Sequence, residues 1–254
     1  MITQTAFEGK TILLTGASSD SDIGLGIAQA LAQCGARLIL VGRRREELEK
    51  TRDLLANPAK HSVEPFDLYD MDAIPAWMAR LAVAHGKLSG VVHSASVQGY
   101  SPVNTIKKQH FEGYFLLNVG APMALARGLH QRGVAAENAS MVLIGSSAGL
   151  RGMKGRALYA SSKAALVGLT KSLALEFAKR RMRVNCIAPA LIRGSKSDQQ
   201  FAMLSEEQGK ALEAIHPMGL GQPHNVADAV VFLLSDMASW VTGVVLPVDG
   251  GFVA

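Results

Sequence analysis

The sequence predicts an α/β fold: a doubly wound, parallel, seven-stranded sheet with helices on both faces. Three observations predict it. Short apolar runs recur along the 254 residues with helix-like segments between them. The runs are continuously apolar instead of alternating with polar residues, which marks strands covered on both faces. The first run leads through a glycine-bearing turn straight into a helix, the connection at which such folds hold ligands.

In chain order, the strands are expected at 11–15, 37–41, 61–66, 90–94, 140–145, 183–188 and 244–248. The first is Thr11-Ile12-Leu13-Leu14-Thr15, and the small and apolar stretch from Ile27 to Leu31 then continues as a helix. The helices are expected at 24–34, 45–55, 71–85, 111–130, 157–179 and 225–235. No linker, low-complexity tract or repeat interrupts this alternation, so residues 1–254 are expected to form one domain. Its one irregular part is the polar stretch 193–217, with a short helix expected at 206–215. It follows the sixth strand and so falls at the carboxyl end of the sheet, where ligands bind.

Composition narrows the class. With 48% hydrophobic and 19% charged residues the chain is globular, and this length buries a sizeable core without staples. Cys34 and Cys186 fit neither a C-x-x-C pair nor a zinc pattern, so no metal site is expected and both thiols should be buried. Met1-Ile2-Thr3-Gln4 does not open a secretory signal, and no run is apolar enough to cross a membrane, so a cytoplasmic protein is expected. The net charge of +5 invites a nucleic-acid reading, but the basic residues are scattered and only 6% are aromatic. No nucleic-acid partner is expected; a small anionic ligand better accounts for Arg43-Arg44-Arg45.

The first turn reads TGASSDSDIGLG, Thr15 to Gly26. The helix starting near Ile23 presents free N–H groups and partial positive charge, both suited to a pyrophosphate. Gly16 lets the chain turn out of the strand, while Gly24 and Gly26 allow close backbone approach. The second strand ends Leu40-Val41-Gly42-Arg43, where an NAD-binding protein places an acidic residue on the ribose diol. Glycine leaves room for a 2′-phosphate there, and the guanidinium forks of Arg43 and Arg44 suit it, so NADP(H) is expected over NAD(H).

Further motifs follow in order: Asp67 after the third strand, LLNVGAP, IGSSAG, YASSK, RVNCIAPALI, GLGQPHNVADAVVFLLSD and VTGVVLPVDGG. Together the set resembles the short-chain dehydrogenase/reductase family in its compact single-domain branch, similar to 3-oxoacyl-carrier-protein reductases and sugar dehydrogenases. The resemblance implies a Rossmann-like sheet. The family turn is T-G-x-x-x-G-x-G, so two residues within 20–22 are extra here. That loop length also resembles the enoyl-acyl-carrier-protein reductases, which space their Tyr and Lys seven apart; Tyr159 and Lys163 are four apart, which argues against that branch.

The resemblance implies an NADP(H)-dependent enzyme interconverting a ketone and a secondary alcohol. Tyr159 and Lys163 lie one helical turn apart and share a face. Tyr159 would exchange the proton, and Lys163 would lower its pKa from about 10 and bind the nicotinamide ribose. Ser146, thirteen residues before Tyr159, would polarise the carbonyl, with Ser147 the neighbour to test. Asn118 would hold a water-linked proton path to Lys163. Gly16, Ser18, Ser19, Ile23, Gly24, Arg43, Arg44, Asp67, Leu68, Ser94, Ala95, Ser96, Pro189 and Ile192 complete the expected cofactor contacts, with Tyr159 and Lys163 themselves. A homotetramer or homodimer is implied, with the 111–130 and 157–179 helices at an interface.

Three departures stand out. His93-Ser94-Ala95-Ser96 replaces N-N-A-G, Ala190 replaces the glycine of P-G-x-I, and Gly194 stands where a threonine often covers the pyrophosphate. A non-catalytic NADP(H)-binding redox sensor on the same fold is the alternative. A 3-oxoacyl thioester or a sugar or polyol is the favoured substrate type.

Overall fold

The computed structural model describes residues 5–254, the side chains of Lys196 and Gln200 excepted. Residues 1–4, part of the reading against a secretory signal, lie outside them. Seven strands form one parallel sheet: β1 (Thr11–Thr15), β2 (Arg37–Gly42), β3 (Ser62–Pro65), β4 (Leu88–His93), β5 (Ala135–Ile144), β6 (Arg183–Pro189) and β7 (Val245–Val248). Their order is β3-β2-β1-β4-β5-β6-β7, so the winding reverses between β1 and β4. That reversal opens a crevice at the carboxyl ends of these two strands.

Alternate residues of each strand feed two cores, as the period of two requires. Leu13, Val91, Met141 and Leu143 pack with Trp77, Leu125 and Phe177 on one face. Ile12, Leu14, Val92 and Val142 pack with Ile27, Leu31 and Val230 on the other. The first face is covered by α3 (Ile74–His85), α5 (Ala121–His130) and α6 (Ala157–Ala178), with α4 (Lys108–Phe115) leading into α5. The second is covered by α1 (Asp22–Gln33), α2 (Arg45–Asp53) and α9 (Pro223–Leu234). The central strands are the continuously apolar runs, while β3 and β7 sit at the edges and are only half-buried.

Three expectations need correction. β5 begins at Ala135, ahead of the expected 140, because Ala135 pairs with Leu88 across a register shift. The expected helix 111–130 is instead α4 and α5 joined by a wider π-turn, Leu116–Gly120. Pro122 has no N–H to give an α-helical partner four residues earlier, and Ala121 N–H bonds the Leu116 carbonyl five residues back. The polar stretch 193–217 holds two short helices, α7 (Ser195–Ala202) and α8 (Glu206–Ala214), where only the second was expected. A Ser205–Gln208 capping box starts α8 and is legible in the sequence. α7 has no such signal.

Candidate functional site

A cleft of about 870 Å³ lies at the carboxyl ends of the strands. One end opens beside the β1 turn and β2, the other beneath α7 and α8. Three of the four expected catalytic residues line it: Ser146, Tyr159 and Lys163.

Ser146 follows β5 in extended backbone and caps a short 3-10 turn, its Oγ accepting the Ala148 N–H at 3.1 Å. The same hydroxyl faces the Tyr159 phenol, and its nearness lowers the phenol's pKa without a hydrogen bond of normal geometry between the two. Ser147 is buried and makes no such contact with Tyr159. Lys163, one turn further along α6, is 3% exposed, and its Nζ donates to the Ile144 carbonyl at 2.9 Å. Burial pushes its pKa down to about 8.

The expected effect of Lys163 on Tyr159 is not what the geometry gives. Burial raises the Tyr159 pKa; the neighbouring Ser146 hydroxyl and then the Arg156 charge oppose that rise. The Lys163 ammonium lies 5.8 Å from the ring centroid of Tyr159 and is turned to the Ile144 carbonyl. Asn118 sits in the π-turn, fully buried and outside the cleft lining, and its side-chain amide is fully bonded. Its Oδ1 accepts from Val97 N–H at 2.9 Å and Ser96 Oγ at 3.2 Å; its Nδ2 donates to Val97 O and Ser162 Oγ. The side chain clamps the 96–97 loop to α6.

At the other end, Gly16, Ser18, Ile23, Arg43 and Arg44 line the cleft, as do Asp67 and Leu68. Gly16 has φ +69°, and a Cβ there would stand 2.6 Å from Ala95 N, so the β1 and β4 turns meet backbone to backbone. A Cβ on Gly24 would stand 2.0 Å from the Gly16 carbonyl. Gly24 therefore closes the turn from behind and does not line the cleft. Ser21, at the N-terminus of α1, caps no N–H with its side chain. The first-turn N–H groups are thereby left for an anion, which is the fit a dinucleotide pyrophosphate requires.

Two of the expected contact residues have partners within the chain. The Ser19 hydroxyl donates to Glu47 on α2, and its N–H goes to the Glu47 carbonyl, which turns Ser19 away from the cleft. Arg44 is held by Asp20 of the longer loop, its Nη2 on both carboxylate oxygens at 2.6 and 2.7 Å. Arg43 makes no ion pair among the described residues. Ser94, Ala95, Ser96, Pro189 and Ile192 complete the lining between the two ends. Gly194 packs against Asp22, whose Oδ2 accepts from Ser195 Oγ at 3.2 Å, so the glycine loop touches the start of α7.

His93, the departure in the β4 turn, is 1% exposed and bonds Thr15 Oγ1 through Nδ1 at 3.0 Å. Its Nε2 lies near the Leu117 carbonyl without a bond of normal geometry. Sequence reasoning missed the opposite wall: Arg156, His216 and Phe252 also line the cleft. His216 stacks on Phe252 with centroids 4.7 Å apart, a contact between distant residues that no local pattern announces.

A crevice at the sheet reversal, an uncapped helix start and a paired Ser and Tyr define a dinucleotide-fold oxidoreductase. A family model described as Enoyl-(Acyl carrier protein) reductase matches residues 16–253. The 3-oxoacyl-acyl-carrier-protein reductases FabG of Rickettsia conorii and Escherichia coli K12 are each 32% identical to the chain. The alignments cover 96% of this chain in both cases, and 96% and 98% of those proteins. A solved Brucella melitensis structure titled a short-chain dehydrogenase/reductase, glucose/ribitol dehydrogenase, superposes with a TM-score of 0.89 at 27% identity. That match covers 98% of this chain and 99% of the other. The chain belongs to the short-chain dehydrogenase/reductase family and is an oxidoreductase of that family.

The buried imidazole makes an acid-stability prediction. Burial pushes the His93 pKa from 6.5 down to about 3. Between those values the unfolded chain binds the extra proton, so stability falls as pH drops through that window. Urea midpoints from pH 7 to pH 4 should fall less steeply for His93→Asn than for the unsubstituted protein. Identical slopes would contradict the assignment.

Proposed function

We propose that the protein is an NADP(H)-dependent reductase of a ketone, with Tyr159 as the general acid. The observation that carries this reading is the Ser146 hydroxyl set against the Tyr159 phenol beside a buried Lys163, in a cleft at the sheet reversal. A nicotinamide cofactor, when bound, would supply the hydride. The N-terminus of α1 would hold its pyrophosphate, Arg43 the 2′-phosphate, and Asp67 and Leu68 the adenosine side. The turn Ser94–Ala95–Ser96 would back the cofactor, and Pro189 and Ile192 would receive the carboxamide.

The protein groups manage position and proton. The raised pKa keeps the Tyr159 phenol protonated at neutral pH, the state needed to protonate a carbonyl oxygen as the adjacent carbon becomes C–H. Ser146 accepts from Ala148 N–H, which leaves its hydroxyl hydrogen to share between Tyr159 and the substrate oxygen. Lys163 uses one N–H on Ile144 and has two for the ribose hydroxyls. Asn118 holds the 96–97 loop that shapes the cleft. The names of the relatives support a 3-oxoacyl or polyol carbon skeleton.

Association of identical copies is part of the same reading. Phe111, Met123 and Leu175 are 49%, 47% and 80% exposed on the helices expected at an interface. Gel filtration at micromolar concentration should give a multiple of the 26.9 kDa chain; a monomer throughout would contradict it.

Two substitutions test the chemistry. Tyr159→Phe should lower kcat for NADPH-dependent carbonyl reduction by about 100-fold or more, with NADPH binding retained. An undiminished kcat would remove Tyr159 from its role. Arg43→Ala should weaken NADPH by about 10-fold and leave NADH nearly unchanged, measured by fluorescence titration. An equal loss for both would remove the 2′-phosphate contact.

A further inference from the structure

The substrate end of the cleft has an uneven charge. Its acidic lining residues, Asp20, Asp22 and Asp67, all lie on the glycine-turn, β2 and β3 side. Around Ser146 and Tyr159 the walls are Met153, Leu191, Leu204, Leu212 and Phe252, with no carboxylate among them. One guanidinium enters this apolar space: Arg156, three residues before Tyr159. Among the described residues it makes no ion pair. A half-buried guanidinium with no carboxylate partner leaves most of its fork free for an anionic ligand.

Arg156 is also fixed in place. Its Nη1 donates to the Gly99 carbonyl at 3.1 Å, and Ser101 N–H bonds the Gly155 carbonyl at 2.8 Å. Tyr100 fills the space where a Cβ on Gly155 would stand, 1.8 Å from its ring, and Gly155 has φ +71°. These contacts staple the 98–101 loop to the turn that opens α6. Gln98, beside Gly99, faces the same cleft, and its amide has no hydrogen-bond partner among the described residues. A guanidinium fork and an amide N–H₂ on one wall are donors matched to a carboxylate.

We propose that the substrate is an oxo acid whose free carboxylate, a few carbon atoms from the carbonyl, is read by Arg156 and Gln98. This rests on the reductase reading and specifies it. The skeleton of a 3-oxoacyl group is kept, but its end is a carboxylate anion instead of an uncharged thioester. The apolar walls take the hydrocarbon tail. The chemistry is unchanged: hydride adds to the carbonyl carbon, the Tyr159 proton goes to its oxygen, and the carboxylate stays intact as the anchor.

The test compares 3-oxohexanoate with its methyl ester as substrates for NADPH-dependent reduction by the full-length protein, Arg156→Ala and Arg156→Lys. For the unsubstituted protein, kcat/KM should favour the acid by at least about 10-fold. Arg156→Ala should lose about 100-fold on the acid, mainly through KM, and less than about 3-fold on the ester. Arg156→Lys should recover part of the loss. Parallel losses on acid and ester would overturn the proposal, because Arg156 would then act through Tyr159 or the fold. Ester turnover equal to or faster than that of the acid would overturn it as well. A binding arm separates this idea from the reductase reading: calorimetry of hexanoate and hexanamide on the protein with NADP⁺. Hexanoate binding that needs Arg156 upholds the carboxylate site even if no carbonyl is reduced, and equal affinity for the two ligands overturns it.

Discussion

An ammonium taken out of water at the end of a parallel sheet is the constraint on which this site depends. Lys163 is almost fully buried and is tied by one N–H to the last residue of β5. Burial pushes its pKa down to about 8, a fall opposed by the neighbouring Cys186. The bond to Ile144 fixes the rotation of α6 against the sheet. That rotation in turn sets Tyr159, one turn earlier, against Ser146 on the loop leaving β5. Strand end, helix face and hydroxyl are thus positioned by one anchored cation.

The same logic organises the rest of the cleft. The β1 and β4 turns touch at Gly16 and Ala95, which brings the cofactor end within reach of the β5 loop. The π-turn around Asn118 supplies a second clamp, joining the 96–97 loop to Ser162 on α6. The 96–97 loop, which carries no regular structure, is therefore held by the side-chain bonds of one buried amide. A carbonyl placed between Ser146 and Tyr159 would meet rigid donors, as electrostatic stabilisation of a developing oxyanion requires.

Much of this was legible in the sequence because it follows local rules. The strand runs gave the parallel sheet, and the spacing of Tyr159 and Lys163 gave a shared helix face. What escaped was set by contacts between distant residues. Lys163 was expected to act on Tyr159, but its ammonium is turned to the Ile144 carbonyl, and burial of the phenol prevails. Arg44 was expected to face a phosphate; it lines the cleft and also pairs with Asp20, within the glycine loop's extra residues, a partner the sequence did not announce. Ser19 was expected in the cofactor contacts, but Glu47 on the following helix draws it away. None of these pairings has a period or a motif; each exists only once the chain has folded. Helix α7 was missed for the complementary reason, since a short polar segment carries little periodic signal.

The central claim is that an anchored Lys163 places the Tyr159 oxygen to hand its proton to a carbonyl. A crystal structure of the protein with NADP⁺ and a bound alcohol product tests this most directly. The account predicts the Tyr159 and Ser146 oxygens both within about 3 Å of the product oxygen, with Lys163 on the nicotinamide ribose and still on Ile144. A product oxygen bonded elsewhere, or a Lys163 side chain turned out to solvent, would contradict it.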